Sequence, residues 1–249
     1  MLDRCAEVDY RAGLISQVTV MVPLNKTIAD TYRKLAAHYG WPEATHPKGK
    51  PLDVLIETIL SQHTSDANSR RAYRELRHVF PRWDQVLTAS PRAIEKAIRS
   101  GGLARQKSVR IKEVLRQIKE REGRIALARL GRMPPDEAYS YLASLPGVGG
   151  KTACCVLLFA LGHPVMPVDT HIHRIIRRLG WVRPNARPDE TRAVLEKYLS
   201  PSRLYHAHVL FIAHGRRICT ARNPACGSCP LRSICPTGLK RVQKSVSTL

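Results

Sequence analysis

No apolar run among the 249 residues reaches the length needed to span a membrane. The sequence also lacks a strongly amphipathic basic stretch at either end, so a membrane surface is not the expected partner. Residues 1–10 include Asp3, Arg4, Glu7 and Asp9 and show no apolar segment followed by a cleavage site. That argues against a secretory leader and for an intracellular, cytoplasmic protein, nucleoid-associated if the source is prokaryotic. Strict apolar–polar alternation is missing as well, which leaves no support for a sheet. Internal repeats and low-complexity tracts are absent. Acidic residues are scarce, with 20 Asp and Glu against 41 Lys and Arg for a formal net charge of +21.

Such an excess of positive charge points to a polyanion as partner. Nucleic acid leads, because basic side chains release the counterions condensed on phosphates. With 43% hydrophobic residues the chain can bury a core. What is present reads as helix. Ile28–Tyr39 has helical spacing and stops at Gly40, and the loop Pro42–Pro51 leads into the apolar Leu52–Leu60. Thr64 or Ser65 is placed to cap a basic helix running to Val79, ended by Pro81. Further helices are expected over Arg92–Arg99, Ser108–Glu122 and Pro135–Ser144. The expected organisation is an all-α fold of two helical domains. The first residues form an extension without assigned role, the middle of the chain a compact helical domain, and the cysteine-rich C-terminal third a second domain.

The octapeptide Leu145-Pro146-Gly147-Val148-Gly149-Gly150-Lys151-Thr152 has the pattern of a helix–hairpin–helix turn. Gly147 and Gly149 permit positive φ and, with Val148, would leave backbone N–H groups uncovered at the start of a helix over Lys151–Leu161. Such amides form a site for a phosphate oxygen. The simpler reading is a tight turn between two helices. Lys151 falls in the first helical turn, where the positive end of the helix dipole and burial disfavour an ammonium and favour a nucleophilic amine. A lysine that only pairs with phosphate fits the same position. Asp169, in Pro167-Val168-Asp169-Thr170-His171, precedes a helix over Thr170–Leu179. It reads either as an N-cap or as a carboxylate that stabilises developing positive charge.

Cys219, Cys226, Cys229 and Cys235 are spaced C-x6-C-x2-C-x5-C. Four thiols this close in a reducing compartment make a soft tetrahedral site for zinc or for an iron–sulfur cluster. Arg222 lies in the loop between the first two, where it would offer charge to DNA. Cys154 and Cys155 read as core residues, and Cys5 carries no assignment.

LPGVGGKTA, VDTH at its separation and the four-cysteine pattern together resemble the endonuclease III family of helix–hairpin–helix DNA glycosylases, over roughly Thr27–Pro236. The resemblance implies a six-helix domain, residues 44–163, and an iron–sulfur domain, residues 24–43 and 164–238, flanking a DNA-binding cleft, with 1–23 an extension and 239–249 a basic tail. It further implies action on double-stranded DNA with damaged bases or abasic sites. A monomer is expected, since one footprint suffices for one lesion. Lys151 then matches the Schiff-base nucleophile, Asp169 the catalytic aspartate, and the four cysteines the ligands of a 4Fe–4S cluster. The implied reaction removes a flipped base, an oxidised pyrimidine by family habit, and nicks the strand by β-elimination. Leu103 resembles the family's wedge leucine, with a core leucine as the alternative. Where the family carries the glutamine that fills the flipped-base gap, this sequence has His63, with Gln62 one position earlier. Glu57 falls where related adenine glycosylases carry a catalytic glutamate, although it also reads as an amphipathic helix residue. Two further readings stay open: a monofunctional mismatch or adenine glycosylase, and a DNA-binding module without catalysis.

Overall fold

The computed structural model describes residues 24–43 and 49–246. The expected extension 1–23, Cys5 within it, and the final 247–249 of the expected tail lie outside the described residues. Among the described residues there are twelve α-helices with short 3-10 turns, and no strand. The chain divides into two compact units.

One unit comprises Pro42–Asp169 and Ser200–Val209. It holds α2 (Pro51–Ser61), α3 (Asp66–Val79), α4 (Trp83–Thr88), α5 (Pro91–Ala97), α6 (Ala104–Glu122), α7 (Pro135–Ala143) and α8 (Gly150–Leu161). Apolar residues at helical spacing on α2, Leu52, Leu55, Ile56, Ile59 and Leu60, are all buried. They join Leu76 of α3, Ile111, Val114 and Leu115 of α6, Leu142 of α7 and Val156 and Leu157 of α8 in one core. The helix starts obey local chemistry. Ser65 accepts a hydrogen bond from the Asn68 amide at 3.3 Å, and Ser90 from the Ala93 amide at 3.2 Å. Pro51, Pro91 and Pro135 sit at first helical positions, where a missing N–H costs nothing. Helix α6 begins four residues before the expected Ser108, because its N-terminus is set by the turn at Gly102-Leu103. The short α4 had no expected counterpart.

The other unit comprises Thr170–Leu199 with the described residues up to Trp41 and from Leu210 onward. It holds α1 (Leu24–Tyr39), α9 (Thr170–Leu179), α10 (Pro188–Tyr198), the later part of α11 (Leu204–Arg217) and α12 (Pro236–Val246). The expected basic tail is therefore continued helix rather than a separate segment through Val246. Ile172, Ile175, Ile176 and Leu179 line the buried face of α9. Ser200–Val209 belongs with α2–α8 for a visible reason. Phe159 packs edge-on against Tyr205 and His208, and His208 Nδ1 lies 3.0 Å from the Pro167 carbonyl.

Candidate active site and cluster site

The hairpin between α7 and α8 is pinned by Leu145 and Val148, both buried at its base. Gly147 has φ +69° and faces Arg110 of α6, and a Cβ there would fall 2.1 Å from Arg110 Nε. Val148 does not offer a free amide, as expected from the sequence. Its N–H donates to the Leu145 carbonyl at 3.1 Å, closing the turn. The donors left for an anion are those of the first turn of α8 after Gly149, its N-cap, which have no acceptor within the helix. Gly147→Ala is expected to push the flexible end of Arg110 aside and leave a left-handed alanine, which costs about 1–2 kcal/mol. Thermal melting should fall by a few degrees. An unchanged melting temperature would mean the turn relaxes to negative φ.

Lys151, half-buried in the first turn of α8, shares a hydrogen bond with the thiol of Cys155 one turn later. Cys155 is 3% exposed, and burial pushes its thiol up, against the pull of the Lys151 charge. Asp169, immediately before α9, acts on the same thiol with its carboxylate. Cys155 therefore lies within electrostatic reach of both the Lys151 amine and the Asp169 carboxylate. Burial of Cys155 matches its reading as a core residue, but its contact with Lys151 was missed. The available signal was the four-residue separation, which stacks two side chains on one helical face.

Gln62 and His63 follow the end of α2 and diverge. Gln62 Oε1 accepts from Arg110 Nη1 at 2.8 Å, and its Nε2 reaches Thr152 Oγ1 at 3.5 Å. Its side chain is thus held beside the hairpin. His63 is exposed with φ +53°, and Leu103 is 49% exposed with φ +49°. These are the two positive-φ residues other than glycine among the described residues. Their turns adjoin, since a Cβ on Gly102 would stand 3.9 Å from the His63 carbonyl and from Thr64 Oγ1. Leu103 is therefore not a core leucine. Glu57, exposed on α2, has Asp53 and Arg70 as charged neighbours, and desolvation followed by Asp53 pushes its carboxyl up. Neither Lys151 nor Asp169 is among those neighbours.

Cys219, Cys226, Cys229 and Cys235 line one cavity with Ile175, Leu179, Ile218 and Leu231. Arg178 of α9 donates to Cys219 Sγ at 3.2 Å and to the Thr220 and Ala221 carbonyls. The Gly238 amide lies 3.4 Å from Cys235 Sγ, and His214 Nε2 lies 3.7 Å from Cys229 Sγ. Arg222 is exposed on the loop between the first two cysteines.

Residues 56–201 match the HhH-GPD superfamily of base excision DNA repair proteins, and residues 219–235 match the iron–sulfur binding domain of endonuclease III. The endonuclease III of Thermotoga maritima is 38% identical over 76% of this chain and 84% of its own length. The chain belongs to the endonuclease III family. A relative in Arabidopsis thaliana whose name assigns it, provisionally, to the DNA glycosylases is 40% identical over 68% of this chain, which spans 57% of that relative's length. The structure of a trapped covalent intermediate of an endonuclease III with DNA superimposes with a TM-score of 0.77. It is 29% identical, over 89% of this chain and 100% of that one.

Membership of this family gives the protein a 4Fe–4S cluster, and the matched segment, residues 219–235, contains all four cysteines. The thiols surround a shared, apolar-walled space, and an Arg178 N–H donates to the Cys219 sulfur, a donor set that fits an iron–sulfur cluster. Burial pushes the Cys229 thiol up to about 11 and raises Cys235 too, so cluster assembly must displace protons.

Proposed function

We propose that this member of the endonuclease III family is a bifunctional DNA glycosylase and abasic-site lyase, with Lys151 as nucleophile. The observation that carries the reading is Lys151 in the first turn of α8, directly after a hairpin whose first-turn amides suit a DNA phosphate, with Asp169 and Lys151 both acting on the Cys155 thiol. The Lys151 amine attacks C1′ of the flipped nucleotide, and the C1′–N bond to the base breaks. The base departs with the electron pair and takes a proton, the ring opens, and the amine loses protons to become an imine. Asp169 stabilises the positive charge that grows on the sugar in this step. The imine then acidifies C2′–H, and its loss expels the 3′ phosphate by β-elimination.

His63 and Leu103, on adjoining exposed turns, enter the space vacated by the flipped nucleotide. Gln62, held by Arg110 and Thr152, supports the hairpin from within. The bound cluster serves as a covalent cross-link of its loops, and Arg222 contacts the DNA backbone. Oxidised pyrimidines in double-stranded DNA are the substrate class in this reading. The protein acts as a cytoplasmic monomer, nucleoid-associated in a prokaryote.

Borohydride trapping on a duplex with one abasic site tests the reading. Wild type should give a covalent adduct and Lys151→Ala none. Absence of an adduct from cluster-loaded, DNA-binding wild type would replace the reading with a monofunctional glycosylase that activates water.

A further inference from the structure

Lys107 of α6 is buried, at 2% exposure, an unusual place for a lysine. Its Nζ donates to the Leu60 carbonyl at 2.7 Å and to the Gly101 carbonyl at 2.9 Å. Both acceptors stand at C-terminal ends, Leu60 in the last turn of α2 and Gly101 closing the 3-10 turn Arg99–Gly101. Helix C-termini expose carbonyls without helical partners and carry the negative end of the dipole, so a cationic donor is favoured there. Three residues after Leu60 comes His63, and two residues after Gly101 comes Leu103, the two non-glycine residues in left-handed conformation. Gly101 is tightly seated as well, since a Cβ on it would come within 3.0 Å of Ala72 Cβ.

We propose that Lys107 is a positioning residue, a buried clamp whose amino group ties the ends of two helices so that His63 and Leu103 are presented to DNA as one rigid pair. A left-handed residue on an exposed turn is held only when its surroundings over-determine it. Here the constraint comes from one group bonded to both turns. Desolvation, then the Arg110 guanidinium, pull Lys107 below its ordinary value. A leucine or methionine would fill the same space at less electrostatic cost, so what the amine adds is the pair of carbonyl bonds. The inference rests on the reading that these two turns enter the DNA stack.

The test uses cluster-loaded full-length protein and a duplex with 2-aminopurine opposite a reduced abasic site, whose fluorescence rises when the base is unstacked. Lys107→Met should slow the fluorescence change by about 100-fold, the scale of an ångström-sized misplacement, with affinity for undamaged duplex unchanged. In a His63→Ala/Leu103→Ala background the same substitution should add less than about twofold, since its effect passes through those side chains. A Lys107→Met protein that unstacks the probe at wild-type rate overturns the inference, as does a loss that multiplies with the double variant. If the double variant alone leaves unstacking intact, the reading of the turns fails instead. Should Lys107→Met not fold, lysine-selective nitrogen NMR of wild type decides. The Lys107 Nζ–H signal should be protected from exchange and shift when the abasic duplex binds, and a signal that stays still while His63 moves overturns the clamp.

Discussion

Lys151→Ala is expected to lower strand nicking at abasic sites by about 10⁴-fold or more, the range seen when a covalent nucleophile is removed. Affinity for the same duplex should change little, because the hairpin amides that face phosphate belong to the backbone. Asp169→Asn separates the two halves of the reaction. It keeps the size of the side chain and removes the charge, so base release should fall by about 10²–10⁴-fold. Nicking of a preformed abasic site, where no base must leave, should suffer less. Single-turnover assays on a damaged-base duplex and an abasic duplex give both rates. Equal losses on the two substrates for Asp169→Asn would assign that carboxylate to lyase chemistry, and retained nicking in Lys151→Ala would give the nucleophile to another amine.

Cys229→Ser is expected to cost the cluster and with it the unit built from α9, α10 and α12. Burial pushes the Cys229 thiol up to about 11, and Cys219, Cys226 and Cys235 line the same apolar-walled cavity. Between Cys219 and Cys235 the chain forms short 3-10 turns rather than an α-helix, so its loops depend on the cross-link. Binding energy at a structural metal site counts as folding energy, on the order of 10 kcal/mol for a zinc module, and a cluster of four ligands stands on a similar scale. Iron content and visible absorption should vanish, and hydrogen exchange should lose protection over 170–179 and 210–240. The helices α2–α8, with their own apolar core, should keep theirs. Wild-type protection over 210–240 in iron-free Cys229→Ser would show that the peptide holds its shape without metal.

Much of the helix pattern was legible because its determinants are local. Pro at the first position, Ser at the cap and glycine after the last turn announce α3, α5, α8 and α9 within a few residues. Of the helices that were not read, α4 is short and α10 and α12 carry many polar residues, so packing stabilises them more than propensity. Helix α11, by contrast, does present an apolar stripe at helical spacing, Leu204, Ala207, Leu210 and Phe211, all buried. Val148 shows the limit of motif reading. Its place in a glycine-rich turn suggests a free amide, yet the turn closes on itself through the Leu145 carbonyl.

By itself the sequence determined the chemistry. An amine in the first turn of a helix after a glycine hairpin, a carboxylate eighteen residues on and four spaced thiols are properties of residue type and separation, and they pointed to a family before any fold was known. Tertiary structure decided which neighbours those groups have. Arg110 of α6 draws Gln62 to the hairpin and leaves His63 exposed, the Asp169 carboxylate acts on the buried thiol of Cys155, and Lys107 joins two turns 41 residues apart. Each of these contacts depends on where two remote segments pack, and a local pattern carries no record of that distance.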